Sequence, residues 1–340
     1  MAGCDIISRL LCFVMTVRAL VFKGSSKFNS VMKIVIPGGS GHVGQVLKRA
    51  FESAGDEVIV LSRRTSDPAR AWDGKTLGAW TQHIDSADVV INLAGRTVNC
   101  RYSEENLRQM MDSRVDSTRV IGEAIANSDS APKVWLQMST ATIYAHRFDT
   151  ANDEATGIIG GEEPDVPAYW ARSIDIAKAW ESELAAASTP ATRKVALRTA
   201  MVMSPDKGSV FDVLCGLTKK WLGGRLGSGS QYVSWIHEHD FVAAIRFLIE
   251  RDSISGAVNL AAPNPLPQAE FQSQLRKALG VSVGLPATRW MAEIGAMVLR
   301  TDTELIFKSR RVVPGRLLES GFEFQYPSWS EALAELLGRA

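Results

Sequence analysis

Apolar residues along the chain fall into short solid runs separated by amphipathic stretches, and this alternation predicts buried parallel strands interleaved with helices. Residues 33–36 form a short run, β-branched at Ile34, Val35 and Ile36, with no helical period. A second such run, Glu57–Leu61, follows about twenty residues later, the spacing of one strand-helix-strand unit. Residues 88–95, 134–139, 194–198 and 257–263 repeat the pattern. Between them, Val43, Val46, Leu47 and Ala50 recur at helical spacing. In the long stretch 103–127, Leu107, Met110, Met111, Val115, Thr118, Ile121 and Ile125 make one helical face. Further helices are expected over 169–187 and 240–250, the latter with Asp240 as N-cap. The expected fold is α/β: a Rossmann-type, doubly wound parallel sheet over 32–262 with a smaller C-terminal substrate lobe over 263–340. Residues 208–235, with the glycine-rich stretch 221–231, contribute to that lobe, and 146–168 form a surface loop over the site.

Composition narrows the function classes. The 340 residues carry a net charge of +1 and no block of Lys or Arg, so no nucleic-acid partner is expected. Cys4, Cys12, Cys100 and Cys215 lack C-x-x-C or Cys/His ligand spacing; neither a metal site nor a disulfide framework is expected, and a cytoplasmic setting is the simplest. Residues 1–31 differ in kind, with Arg9, Arg18, Lys23 and Lys27 against the single acid Asp5. Their apolar run 10–17 is too short to span a bilayer. The preferred reading is an upstream extension or misassigned start before Met32, with no membrane attachment; an organellar presequence or a membrane-surface segment is the alternative.

The candidate chemistry gathers at strand ends. Gly38, Gly41 and Gly44 stand in G-x-x-G-x-x-G spacing between a strand and a helix, with Gly39, Ser40, His42 and Val43 between them. Such a turn lets the backbone approach a pyrophosphate and offers it bare helix N–H groups. Arg63 and Arg64 follow the second strand where an NAD enzyme would place a carboxylate, which favours NADP(H) over NAD(H). Asn92, Leu93, Ala94 and Gly95 end the next strand in a small-residue turn suited to a ribose or ring. Ser139, Thr140, Thr142 and Tyr144 cluster at the end of another.

Together these landmarks resemble the extended short-chain dehydrogenase/reductases, the fold of nucleotide-sugar epimerases and dehydratases. More narrowly, the chain is similar to an atypical subfamily of NAD(P)-dependent epimerases with an extra C-terminal domain of unassigned function. The narrow likeness rests on Asn92-Leu-Ala-Gly-Arg-Thr-Val-Asn-Cys-Arg101, Ser113-Arg-Val-Asp-Ser-Thr118, Ala179-Trp-Glu181, Gly227-Ser-Gly-Ser-Gln-Tyr-Val-Ser-Trp-Ile-His237 and Val313-Pro-Gly-Arg-Leu-Leu-Glu-Ser-Gly-Phe322. It covers nearly everything from Met32 onward. Related folds often pair through two helices of the cofactor domain, so a homodimer is one expectation.

The family chemistry carries over less completely. Its dehydrogenases use a Tyr-x-x-x-Lys pair in which the lysine eases proton exchange by the tyrosine, whereas here Tyr169 is followed four residues on by Ser173. Lys178 is nine residues from Tyr169, half a turn out of phase and on the order of 13 Å along a regular helix. Two readings stay open. One is an NADP(H)-dependent oxidoreductase or epimerase acting on a small hydroxyl- or carbonyl-bearing substrate. Ser139 or Thr140 would anchor that substrate and Tyr144 or Tyr169 carry the proton. The resemblance puts Arg101 beside the nicotinamide, and His237 is a candidate base. The other is a non-catalytic NADP(H)-binding regulator or redox sensor.

Overall fold

A computed structural model describes residues 31–338, apart from Asp165, Ala168 and 299–301. The expectations for residues 1–30 lie outside the described residues. Six parallel strands form one sheet: β1 (Lys33–Pro37), β2 (Glu57–Leu61), β3 (Val89–Asn92), β4 (Val134–Thr140), β5 (Arg193–Thr199) and β6 (Gly256–Leu260). Their order is β2-β1-β3-β4-β5-β6, and a single parallel bridge between Ser62 and Ala71 is what lies beyond β2. The chain runs outward in opposite directions from β1 and β3, so the crevice between their carboxyl ends is the expected ligand position of an open α/β sheet.

The helices cover both faces. α1 (His42–Ser53) follows the glycine turn; α2 (Glu104–Ala126) packs beside α3 (Trp170–Ala186). Val120, Ile121 and Ile125 of α2 join Val35, Ile59, Val90, Trp135, Trp72 and Trp80 in one apolar cluster. Met110 is buried and Met111 packs beside it, as the helical period requires.

A second cluster holds the carboxyl-terminal part together. α4 (Val210–Lys219), α6 (Gln268–Leu279) and α7 (Trp329–Leu336) meet around Trp329, whose ring stacks on Phe271 at 4.2 Å and whose indole N–H donates to the Phe271 carbonyl. The helix α5 (Glu238–Glu250) starts earlier than its sequence pattern suggests: His237, not Asp240, is its N-cap, accepting the His239 N–H on Nδ1 at 3.1 Å. Asp240 instead accepts the backbone N–H groups of Gln325 and Tyr326, tying α5 to the carboxyl-terminal segment.

The glycine turn itself is shaped by close approach. Gly38 has φ +74°, and a Cβ there would lie 2.7 Å from the Ala94 backbone; a Cβ on Gly44 would collide with the backbone of Gly39. Replacing Gly44 by alanine therefore forces α1 off the turn. We expect Gly44→Ala to cost about 1–3 kcal/mol, the scale of overpacking, read as a lower thermal midpoint of the cofactor-free protein.

Candidate active site

At the carboxyl ends of the strands lies a cavity of about 460 Å³. Gly38, Gly41, His42, Val43 and Gly44 line one end. Gly41 at the N-cap of α1 supplies no side chain to satisfy the first helical N–H groups, and the buried Nε2 of His42 has no hydrogen-bond partner among the described residues. Unsatisfied donors at a positive helix end suit a phosphate. Leu93 and Gly95 line the middle, Ser139, Thr140, Thr142 and Ser173 the far end. A second cavity of about 560 Å³ opens from the same turn towards the end of β2, between Ser40, Ser62, Arg63, Ala94, Lys75 and Arg96. Two acids, Asp73 and Asp112, also line it, and Asp73 is engaged by its own loop, accepting from Lys75 N, Thr76 N and Thr76 Oγ1.

Not every residue singled out in the sequence reaches these cavities. Gly39 lies beneath the turn, where its carbonyl accepts from Gln45 Nε2. Asn92 is wholly buried and shapes its turn, accepting the Ala94 N–H and donating to Gln137 Oε1. Arg63 lines the second cavity; Arg64 is exposed and does not. Arg101 is exposed and outside the lining of the first cavity. The guanidinium that does line it belongs to Arg114, buried on α2 with Nη1 on the Met110 carbonyl, Nη2 on the Arg96 carbonyl and the group over the Trp180 ring. No carboxylate pairs with it among the described ion pairs, and burial pulls its pKa down to about 10, so it is still a cation at neutral pH. Arg114 stood inside a quoted motif, yet only the packing of α2 against Gly95 and Trp180 reveals its role.

The tyrosines separate in the same way. Tyr144 is buried outside the cavity lining, its hydroxyl donating to Asn259 Oδ1 and accepting from Arg198 Nη1, each at 2.9 Å. Burial pushes its pKa up, only partly opposed by Arg198, so as a proton carrier it is badly placed on both counts. Tyr169 stands just before α3, hydrogen-bonded to Thr303 at 3.2 Å and outside the lining. The tyrosine that lines the cavity is Tyr102. His237 also lies outside it: its ring accepts the cap bond on Nδ1, so the proton sits on Nε2 and is given to Glu335 at 2.8 Å. His237, His239 and Glu335 come within 4.8 Å of one another, but that proton leaves the His237 ring no lone pair for a metal.

The cavity hydroxyls are oriented from behind. Ser139 gives its proton to Glu181 Oε1 at 2.6 Å, and Glu181 is clamped by Arg198 through Nε at 2.9 Å and Nη2 at 2.7 Å. Ser139, Arg198 and Asn259 stand side by side across β4, β5 and β6, so strand register aligns them and α3 adds Glu181. Thr140 Oγ1 accepts the Thr142 N–H, and Thr142 Oγ1 accepts from Arg310 Nε, so both threonines keep a proton to donate. Ser173 gives its proton to Glu304. The carboxyl-terminal residues in this set, Glu304 and Arg310, carry no local sequence signal of their role.

The comparisons with known proteins agree with this fold. Residues 34–261 match the model of the NAD dependent epimerase/dehydratase family, and 288–336 match a domain of unknown function, DUF1731. The epimerase family protein YfhF of Bacillus subtilis is 30% identical over 90% of this chain and 98% of its own length. The human epimerase family protein SDR39U1 is 27% identical over 90% of this chain and its full length. A crystal structure of human SDR39U1 (isoform 2) with NADPH superposes with a TM-score of 0.76 over 91% of this chain and all of that one, at 23% identity. The nucleoside-diphosphate sugar epimerase from Corynebacterium glutamicum superposes with a TM-score of 0.71 at 26% identity, over 91% of this chain and 59% of that one.

If Tyr144 serves the fold and not the reaction, Tyr144→Phe should leave nicotinamide-cofactor affinity unchanged. It should lower stability by about 1–2 kcal/mol through the orphaned Arg198 and Asn259 contacts, measured by chemical denaturation alongside calorimetric binding.

Proposed function

The chain belongs to the NAD dependent epimerase/dehydratase family, and from that premise we propose that it is an NADP(H)-dependent oxidoreductase or epimerase acting on a small hydroxyl- or carbonyl-bearing substrate without a Tyr-x-x-x-Lys pair. The observation that carries this reading is the continuity of one cavity from the Gly38–Gly44 turn to the hydroxyls of Ser139, Thr140, Thr142 and Ser173. A nicotinamide bound there supplies or accepts a hydride. The glycine turn and the first N–H groups of α1 hold the pyrophosphate. Arg63, aided by Arg96 and by Lys75, which also pairs with Asp116, takes the 2′-phosphate, since Ser62 and not a ribose-binding carboxylate follows β2. The NADPH in the human SDR39U1 structure is consistent with that preference.

Around the substrate, the hydroxyls divide by function. Thr142, polarised by the half-buried Arg310 behind it, and Thr140 donate hydrogen bonds to a carbonyl oxygen. Ser139, whose proton is committed to Glu181, offers lone pairs to a hydroxyl. Tyr102 closes the cavity beside Arg114. The second reading, a cofactor-binding regulator with no turnover, draws on Ser173 standing where the lysine would be.

Calorimetric titration of the protein with NADPH, NADP⁺, NADH and NAD⁺, followed by a carbonyl and alcohol pool screen at the NADPH absorbance band, separates the readings. NADP-selective binding with turnover supports the enzyme; tight binding with no turnover on any pool supports the regulator. Arg63→Ala should weaken NADPH binding by about 1–3 kcal/mol, the scale of a lost charge-assisted hydrogen bond, and leave NADH unchanged. Arg64→Ala should change neither; equal losses for both cofactors in Arg63→Ala would refute the phosphate role.

A further inference from the structure

The helix α3 brings Ser173 to the cavity at the position where the resemblance leads one to expect a lysine, and the carboxyl-terminal segment meets it there. Ser173 Oγ has two acceptors in reach, the Trp170 carbonyl at 3.0 Å and Glu304 Oε1 at 2.6 Å, and the nearer, a carboxylate, takes its proton. Glu304 begins a single helical turn, Glu304–Phe307, and its side chain is fully buried; its Oε2 has no hydrogen-bond partner among the described residues. Lys308, also buried, lies one turn on with Nζ 3.6 Å from Glu304 Oε1, and donates to the Thr142 carbonyl at 2.8 Å. Leu305, Thr142, Ser173 and Tyr102 line the cavity around this pair.

We propose that the carboxyl-terminal segment supplies the acid–base group of the site, Glu304, which exchanges a proton with the substrate through Ser173. This rests on the oxidoreductase reading above. In the oxidative direction the substrate O–H proton passes to Ser173 Oγ as the proton of Ser173 passes to Glu304 Oε1. The C–H electron pair leaves as hydride to the oxidised nicotinamide, and a C=O bond remains, so the alcohol loses two electrons that the nicotinamide gains. Reduction runs the same transfers backwards. Lys308 is a positioning residue: its charge favours the carboxylate form of Glu304 between turnovers.

The contrast with the other buried carboxylate behind a cavity serine decides the choice. Glu181 has both oxygens held by Arg198, so protonation would break a bidentate pair. Glu304 has one oxygen unmatched, and burial raises its proton affinity against the opposing pull of Lys308, Arg310 and the Ser173 bond. The charged and titratable groups that face it are Lys308, Arg310 and Asp302 from its own segment and Tyr102 from the loop before α2; Glu163 faces Lys308 from the loop before α3. Burial brings the Lys308 pKa down to about 8 against the opposing pull of Glu304, so Lys308 still carries most of its charge at neutral pH.

The test needs no identified substrate. NADP⁺ and NADPH are titrated calorimetrically into the full chain in buffers of different ionisation enthalpy, from pH 5 to 8, which counts protons released on binding. The positive charge of the oxidised ring favours an ionised carboxylate nearby, so NADP⁺ should release a fraction of a proton and NADPH none. Glu304→Gln should abolish the release while still binding NADPH. Ser173→Ala and Lys308→Met each remove a group that stabilises the carboxylate, and should move the release maximum up by about one pH unit. Release that survives in Glu304→Gln, or is absent from wild-type protein that binds NADP⁺, overturns the proposal. Should Glu304→Gln not fold, an unmoved maximum in Ser173→Ala overturns it as well. Failure of the wild type to bind either cofactor is a different result, since it overturns the oxidoreductase reading itself.

Discussion

A buried ammonium must be surrounded by acceptors, and the way Lys308 meets that demand governs how the carboxyl-terminal segment joins the sheet. Its Nζ takes the Thr142 carbonyl, just past the end of β4, and Glu304 stands behind it. Arg310 follows two residues later, spending its guanidinium on the carbonyls of Glu304, Leu305 and Lys308 and on Thr142 Oγ1. Ser309 N meets His146 Nδ1, and Asn152 N meets the Arg311 carbonyl. The loop after β4 and the segment after residue 301 thus satisfy each other's polar groups, and neither could be buried without its counterpart.

The same logic explains the cavity's chemistry. A hydroxyl has one proton, and what stands behind it decides whether it donates or accepts. Ser139 and Ser173 are turned into acceptors by carboxylates, Thr140 and Thr142 into donors by an amide and a guanidinium. The hydroxyl end of the site is in this way given a fixed polarity by Glu181, Glu304 and Arg310, charges that are not themselves on its wall, in a medium where such charges are weakly screened.

What the sequence made legible follows from the range over which its signals act. The glycine turn, the six sheet strands and α2 are written in spacings of two to four residues, and each appears where its pattern puts it. The lining by Ser139 and Thr140 was readable because strand ends carry ligands in this kind of sheet. Residues joined only by tertiary contact were not readable. Nothing near Glu304 marks it as the partner of Ser173, 131 positions away, and nothing near Tyr144 says that its hydroxyl is occupied by Arg198 and Asn259. The start of α5 was misplaced for a local reason: Asp240 is a common cap residue, but here a histidine ring accepts the first N–H and the carboxylate is needed by Gln325 and Tyr326.

The Ser173–Glu304 contact also constrains how this site can change over generations. A lysine at 173 would bring a second ammonium towards Glu304, where Lys308 already stands, and a seryl hydroxyl without Glu304 behind it would keep its proton. A single exchange at either place leaves a buried ammonium without its carboxylate or sets two ammoniums on one, so the two positions, from parts of the chain with separate family models, are physically coupled. A carboxyl-terminal segment without a carboxylate at 304 would therefore not be interchangeable with this one.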